Sequence, residues 1–268
     1  LLVLLLILVL LPPPARAATT YTVTNSDDSG TGSLREALAS AANGDHIDFA
    51  SDLSGATITL ASDLLIDVGV TIQNDLPDPI IIHGDGTYHT VISGGGPVTL
   101  RRLQFMYGKA AIGGAIYVDQ STLIVDQCLF QQNMAIHGGA IQAQSATVTA
   151  INSTFYGNST YYGDTASTGG GAIDLNDSTA TIQHCTFANN WSPTGAGLNA
   201  VGGSDVQLFN TVLAENAPAE SHDCRASEST VNVSGSHIGR SSGCGAPATE
   251  GAKLGLLKVR LYRPFPEE

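Results

Sequence analysis

Residues 113–141 read GGAIYVDQSTLIVDQCLFQQNMAIHGGAI, and the Gly-Gly-Ala-Ile that opens this stretch at Gly113 begins again at Gly138, 25 residues on. The motif returns at Gly170-Gly171-Ala172-Ile173 and weakens to Gly195-Ala196-Gly197-Leu198, giving steps of 25, 32 and 25 residues. A second motif, Phe-x-x-Asn, stands at Phe130/Asn133, Phe155/Asn158 and Phe187/Asn190, with a variant at Leu213/Asn216 and a forerunner at Phe105/Gly108. Its steps are 25, 25, 32 and 26, so both series put the same seven extra residues between Asn158 and Gly170. A fixed period of 20–50 residues is the signature of a repeat architecture.

Inside each repeat the apolar period is two, as in a strand, and not 3.6. Thr122-Leu123-Ile124-Val125, Thr147-Val148-Thr149-Ala150 and Thr179-Ala180-Thr181-Ile182 share one register. Leu123, Val148 and Ala180 then form one inward column, and Phe130, Phe155 and Phe187 another. Short strands at this period predict an all-β fold: a right-handed, single-stranded parallel β-helix in which each repeat stacks on the next. A leucine-rich solenoid lacks its Leu-x-x-Leu-x-Leu frame here, and 25 residues are too few for a four-stranded propeller blade. The repeated residues have mechanical roles. Gly113, Gly114, Gly138, Gly139, Gly170 and Gly171 permit positive φ and close approach of stacked turns. Asn133, Asn158, Asn190 and Asn216 can stack amide on amide at the ~4.8 Å spacing of paired strands.

The chain ahead of the clear repeats supplies an end plug. Ser33 followed three residues later by Glu36 is a capping box, and Leu34, Ala37, Leu38 and Ala41 make one apolar face of a short helix within 32–43. Weaker coils follow, with strands at Ile47-Asp48-Phe49, Thr57–Leu60, Val70-Thr71-Ile72 and Ile80-Ile81-Ile82. Further upstream, Leu1–Leu11 is an unbroken apolar run followed by three prolines and Ala15-Arg16-Ala17. That run is too short for a membrane span and fits the core and cleavage site of a secretory signal. The expected organisation is therefore a partial signal peptide over 1–17, a cap over 18–45, coils over 46–216, a disulfide-closed terminal region over 217–256, and an irregular tail over 257–268.

Charge and cysteines narrow the function. The chain has 11 Lys+Arg against 24 Asp+Glu, a formal charge of −13, and no Lys or Arg between Lys109 and Arg225. Nucleic-acid binding depends on cations that neutralise phosphates, and this chain lacks the surface for it. In an exported chain Cys224 and Cys244, flanking a Ser- and Gly-rich loop, are expected to be bonded. Cys128 and Cys185 fall in one column with Ser153 between them, two rungs or ~10 Å apart. A disulfide needs Cα atoms within ~7 Å, so two free buried thiols are expected there.

Tyr21-Thr22-Val23-Thr24-Asn25 with Gly32-Ser33-Leu34-Arg35-Glu36-Ala37 resembles the CSLREA segment that begins many exported bacterial β-helix proteins, with Gly in place of its Cys. The Gly-Gly-Ala-Ile and Phe-x-x-Asn repeats are similar to those of chlamydial polymorphic outer membrane proteins. Asn210–Leu213, Asp223-Cys224, His237-Ile238-Gly239, Gly243-Cys244 and Lys253-Leu254-Gly255 resemble the choice-of-anchor Q domain. The resemblance implies a bacterial secreted or cell-surface β-helix, adhesin-like, with no established catalytic residues to carry over.

Enzymatic chemistry is the rival reading, since β-helices also carry polysaccharide lyases and hydrolases and fold alone decides nothing. A lyase needs a cation beside the developing anion, for which only Arg101 and Arg102 are available, both expected as ordinary strand-surface residues. A hydrolase needs two carboxylates at a set separation. Asp174 and Asp177 are the best pair, with His184 in the same coil. Alignment of the coils puts Tyr117, Gln142, Asp174 and Asn199 in one outward column, and Asp119, Gln144 and Asn176 in another. His83-Gly84-Asp85-Gly86-Thr87 is read as a coil corner. For ligand binding, Tyr161 and Tyr162 in the long turn and Trp191 in the matching turn of the next coil are exposed aromatics suited to a sugar ring or a protein partner. The Thr147/Thr149 and Thr179/Thr181 pairs form a short outward array of the kind an ice-binding face would use. The expectation is a monomeric, exported interaction module for an extracellular glycan or surface protein, with no catalytic residues, no cofactor and no metal.

Overall fold

The computed structural model describes residues 16–160, 169–216 and 221–245. The chain coils as a right-handed parallel β-helix with three long sheets, of nine, eight and eight strands, and a minor two-stranded sheet at one corner. Each is named here by what it carries. The groove sheet contains Ile116–Asp119, Ile141–Gln144 and Ile173–Asn176. The threonine sheet contains Thr122–Asp126, Thr147–Ile151 and Thr179–Gln183. The phenylalanine sheet contains Leu129–Gln131, Thr154–Tyr156 and Thr186–Ala188. One circuit of the three is one sequence repeat.

The predicted registers hold. Leu123 pairs with Val148 and Val148 with Ala180. In the phenylalanine sheet the inward column runs Ile58, Ile82, Phe105, Phe130, Phe155, Phe187, Leu213, Ile238. Its rings stack nearly parallel, with centroids 5.1, 4.8 and 4.5 Å apart from Phe105 to Phe187. Phe130, Phe155 and Phe187 are wholly buried. Stacking like on like keeps the inward rows largely apolar, with Thr90 between Leu64 and Ile116 an exception, and the interior is one continuous hydrophobic cluster.

The asparagines do what their spacing implies, and more. Asn133 Nδ2 donates to Asn158 Oδ1, Asn158 Nδ2 to Asn190 Oδ1, and Asn190 Nδ2 to Asn216 Oδ1, each at 2.9 Å. Each Nδ2 also donates to the Phe carbonyl of the preceding coil, at 2.9–3.1 Å. The ladder ends on a carboxylate: Asp223 Oδ1 accepts from Asn216 Nδ2 at 2.7 Å and from its backbone N–H at 3.0 Å.

Gly113 and Gly138 have φ of 59° and 62°, and a Cβ on Gly114 or Gly139 would run into the carbonyl of the glycine one coil on. Gly170 departs from the expected pattern. Its φ is not positive; a side chain there would strike the Ile173 carbonyl, and its N–H donates to Asp174 Oδ1 at 3.1 Å.

Both ends carry findings beyond the sequence reading. The helix covers only Leu34–Ser40, with Ser33 accepting from the Glu36 N–H and Ala41 already extended. Leu34, Ala37 and Leu38 join the core. Thr20–Val23, expected only as part of the cap, is the first strand of the threonine sheet and pairs in parallel with residues 46–49. At the other end Cys224 and Cys244 are bonded, with Cα atoms 6.1 Å apart, while Cys128 and Cys185 are free and buried. Most of the expected signal segment and all of the tail over 257–268 lie outside the described residues. Arg16, within the expected leader, places Nη1 2.8 Å from Asp45 Oδ1.

Candidate functional site

Asp174, Asp177 and His184 do not meet. Asp177 and His184 stand at opposite ends of the strand Thr179–Gln183, a span of roughly 20 Å. Each occupies the left-handed residue of a coil corner, with φ of 49° and 55°. Gln120, Ser145 and Asp177 repeat at one corner, and Arg102, Gln127, Asn152, His184 and Asn210 at the next, all with positive φ. Asn and Asp tolerate this conformation better than most residues, so corner geometry accounts for Asp177. Its carboxylate accepts from Ser145 at 3.2 Å, and Asn210 Nδ2 lies 3.2 Å from His184 Nε2.

Asp174 lies elsewhere, on the outer face of the groove sheet. The column predicted through it is present and longer than expected: Leu65, Val91, Tyr117, Gln142, Asp174, Asn199, Arg225. It points away from the core, yet three of its members, Gln142, Asp174 and Asn199, are not solvated as an outward column was expected to be. Gln142 is 5% exposed, Asp174 4% and Asn199 1%. The column runs from apolar to polar, and its polar half, with Asp174 at its centre, lies in a groove of about 500 Å³. Among the described residues the lining is Ile112, Tyr117, His137, Gln142, Gln144, Asp174, Asn176, Val201 and Arg225.

The polar atoms of this groove are largely fixed. Asn199 Nδ2 donates to Asp174 Oδ1 at 2.6 Å, and Arg225 Nη1 donates to Asn199 Oδ1 at 3.0 Å. Asn176 Nδ2 donates to Gln144 Oε1 at 3.0 Å. His137 Nδ1 stands 3.9 Å from Asp174 Oδ2, too far for a hydrogen bond. Burial pushes the Asp174 carboxyl above its usual range, against the opposing pull of the Asn199 amide, the Gly170 N–H and His137. Tyr117 is likewise raised by burial, with Asp119 adding to it. Gln142 Oε1 is buried and has no hydrogen-bond partner among the described residues.

Of the residues expected to bind ligand, Tyr161 and Tyr162 lie outside the described residues. Trp191 is half-buried, not exposed; its corner packs in register with Ser159, and its backbone N–H donates to the Asn158 carbonyl at 2.8 Å. Arg101 pairs with Asp126 at 3.3 Å, and Arg102 Nη2 caps the Leu76 carbonyl at 3.0 Å. Neither lines the groove. His83 Nδ1 accepts from the Asp85 N–H at 3.1 Å, as in the expected corner. The threonine array is in place, with Thr147 Oγ1 3.1 Å from Thr179 Oγ1, and Ile124 interrupts it.

Two features escaped the sequence reading. Serine and threonine hydroxyls just past the corners form ladders of their own, such as Ser153 to the Cys128 N–H at 3.1 Å and Ser204 to the Ser178 N–H at 3.1 Å. Their spacing by the same repeat was the available signal. His137 and Arg225 are the other omission, since each joins Asp174 only through the winding of neighbouring coils.

Stacked coils of this kind define a parallel β-solenoid, here with polar side chains gathered in a groove on one outer sheet face. The sequence profile of the family described as "Right handed beta helix region" matches residues 88–256, and the chain belongs to that family. It is also similar to a protein from Dictyostelium discoideum named metabotropic glutamate receptor-like protein R, at 32% identity over 116 residues, 42% of this chain. The match spans 7% of that protein's length. Among the described residues no helix is long and apolar enough to cross a membrane.

Proposed function

We propose that this chain is a secreted or cell-surface β-helix module, adhesin-like and non-catalytic, that binds an extracellular glycan in the groove around Asp174. The leader-like Leu1–Ala17 and the resemblance to exported β-helix proteins support the exported reading. One observation carries the ligand reading: the described lining combines three side-chain amides, a tyrosine, a guanidinium and an imidazole with a single carboxylate. Amides, a charged group and an aromatic face are the donors, acceptors and platform that orient a polyhydroxylated ligand in a concave site.

A polysaccharide hydrolase is the second reading, favoured by the raised Asp174 carboxyl, which would suit a general acid. Glycoside hydrolysis ordinarily requires a second carboxylate within reach, and the described lining offers Asp174 alone. Incubation of the purified chain with acidic and neutral polysaccharides, followed by reducing-end assay and glycan-array binding, separates the two. Binding without new reducing ends is expected. Release of reducing ends that disappears in Asp174→Asn would establish the enzyme instead.

A further inference from the structure

We propose that the groove holds an uncharged sugar residue, whose hydroxyls donate to Gln142 Oε1 and Asp174 Oδ2 while its ring lies over Tyr117. The inference rests on the glycan reading and names the class of glycan.

Three observations meet in this groove. Gln142 Oε1 is buried without a partner among the described residues, although buried polar atoms are nearly always hydrogen-bonded. Gln142 sits on the rung before Asp174 and the rung after Tyr117. Asp174 Oδ1 accepts from Asn199 and Gly170, whereas Oδ2 stands 3.9 Å from His137 Nδ1, and the Gln142 amide lies beside the same carboxyl. The open atoms of neighbouring rungs are therefore both acceptors, ~4.8 Å apart by strand spacing. Adjacent hydroxyls of one sugar are donors that can serve two such atoms together. Tyr117, half-buried one rung away, offers a ring face at the same spacing.

Charge argues against the alternatives. A uronate carboxylate placed here would set lone pairs against Gln142 Oε1 and against the Asp174 carboxyl. Arg225, whose Nη1 donates to Asn199 two rungs from Gln142, would be the one guanidinium of the described lining set against two such acceptors, and the sequence between Lys109 and Arg225 holds no Lys or Arg. An ammonium group would share the groove with the Arg225 guanidinium and the His137 imidazole.

Titration calorimetry of the full chain tests this with neutral hexasaccharides (cellohexaose, xylohexaose, mannohexaose, maltohexaose), hexagalacturonate and chitosan hexamer. At least one neutral sugar is expected to bind, and both charged sugars at least 10-fold more weakly. Gln142→Leu and Tyr117→Ala should each weaken the neutral sugar 10-fold or more with the circular dichroism spectrum and melting unchanged. Trp191→Ala should leave binding within 2-fold. A charged sugar binding best, or neutral binding that survives Gln142→Leu, overturns the inference and leaves glycan binding intact. Failure of all six to bind, joined to a blank glycan array, overturns both.

Discussion

Replacing Asn158 by alanine severs the middle of the buried amide ladder, and its cost can be worked from the bonds. Four are lost: the Asn133 N–H and Nδ2 into Asn158 Oδ1 at 3.1 and 2.9 Å, and Asn158 Nδ2 into the Phe130 carbonyl and Asn190 Oδ1 at 3.0 and 2.9 Å. Two of the former partners keep another bond. Asn133 Nδ2 still reaches the Phe105 carbonyl at 2.9 Å, and Asn190 Oδ1 still accepts the backbone N–H of residue 158 at 3.0 Å. Partly compensated losses of this kind cost about 1 kcal/mol each. The backbone N–H of Asn133 has no such reserve, and a buried orphan donor costs ~1–3 kcal/mol. Three such losses and the orphan donor together come to roughly 4–6 kcal/mol, on the order of a thousand-fold or more in the unfolding equilibrium. Urea unfolding of Asn158→Ala, followed by far-ultraviolet circular dichroism, reads it. The exposed Thr230→Ala serves as reference, expected within ~0.5 kcal/mol of the parent. If Asn158→Ala matches that reference, the ladder does not hold the coils together and the reasoning fails.

Burial raises the thiols of Cys128 and Cys185 to about 12 and about 11; native protein at pH 8 should therefore resist iodoacetamide, with both labelling once urea unfolds it. Asp45 is held down to about 2 by the N–H groups of Thr19 and Ala42, with Arg16 adding to them. Because its folded pKa lies below the usual carboxylate value, its stabilisation is present above about pH 4 and is lost as the pH falls toward 2. Asp45→Asn should flatten the melting temperature across that window. Opening Cys224–Cys244, which closes a separation of 20 residues, should lower stability by ~3 kcal/mol in the chain-entropy account, read by urea unfolding with and without reductant.

What the sequence disclosed depended on repetition. Gly113/Gly138 and Phe130/Phe155/Phe187 recur at one interval, so any reader of the spacing obtains the winding, the registers and the pair of thiols that cannot bond. The N-terminal coils have no such echo. The strand Thr20–Val23 carries no repeat motif and becomes visible only when it pairs with residues 46–49. The groove was half-legible. Alignment of coils placed Tyr117, Gln142, Asp174 and Asn199 in one row, but a row says nothing of how deeply it is covered. His137 and Arg225 reach it from a neighbouring corner and the coil beyond. Asp177 and His184 join Asp174 in the sequence by residue type and by nearness within one coil. Their left-handed corners show that backbone geometry, a quantity one unaligned sequence states only weakly, put them where they are.

The winding itself is tested most directly by pyrene labels on a double variant, Thr147→Cys with Thr179→Cys. These exposed positions are separated by 32 residues of chain yet paired on adjacent rungs, with hydroxyls 3.1 Å apart. Strong excimer emission from the native protein, lost in urea and absent from a Thr147→Cys, Asn189→Cys control on another corner, is the predicted result. Monomer emission alone from the Thr147/Thr179 pair in the native protein would contradict the stacked coils.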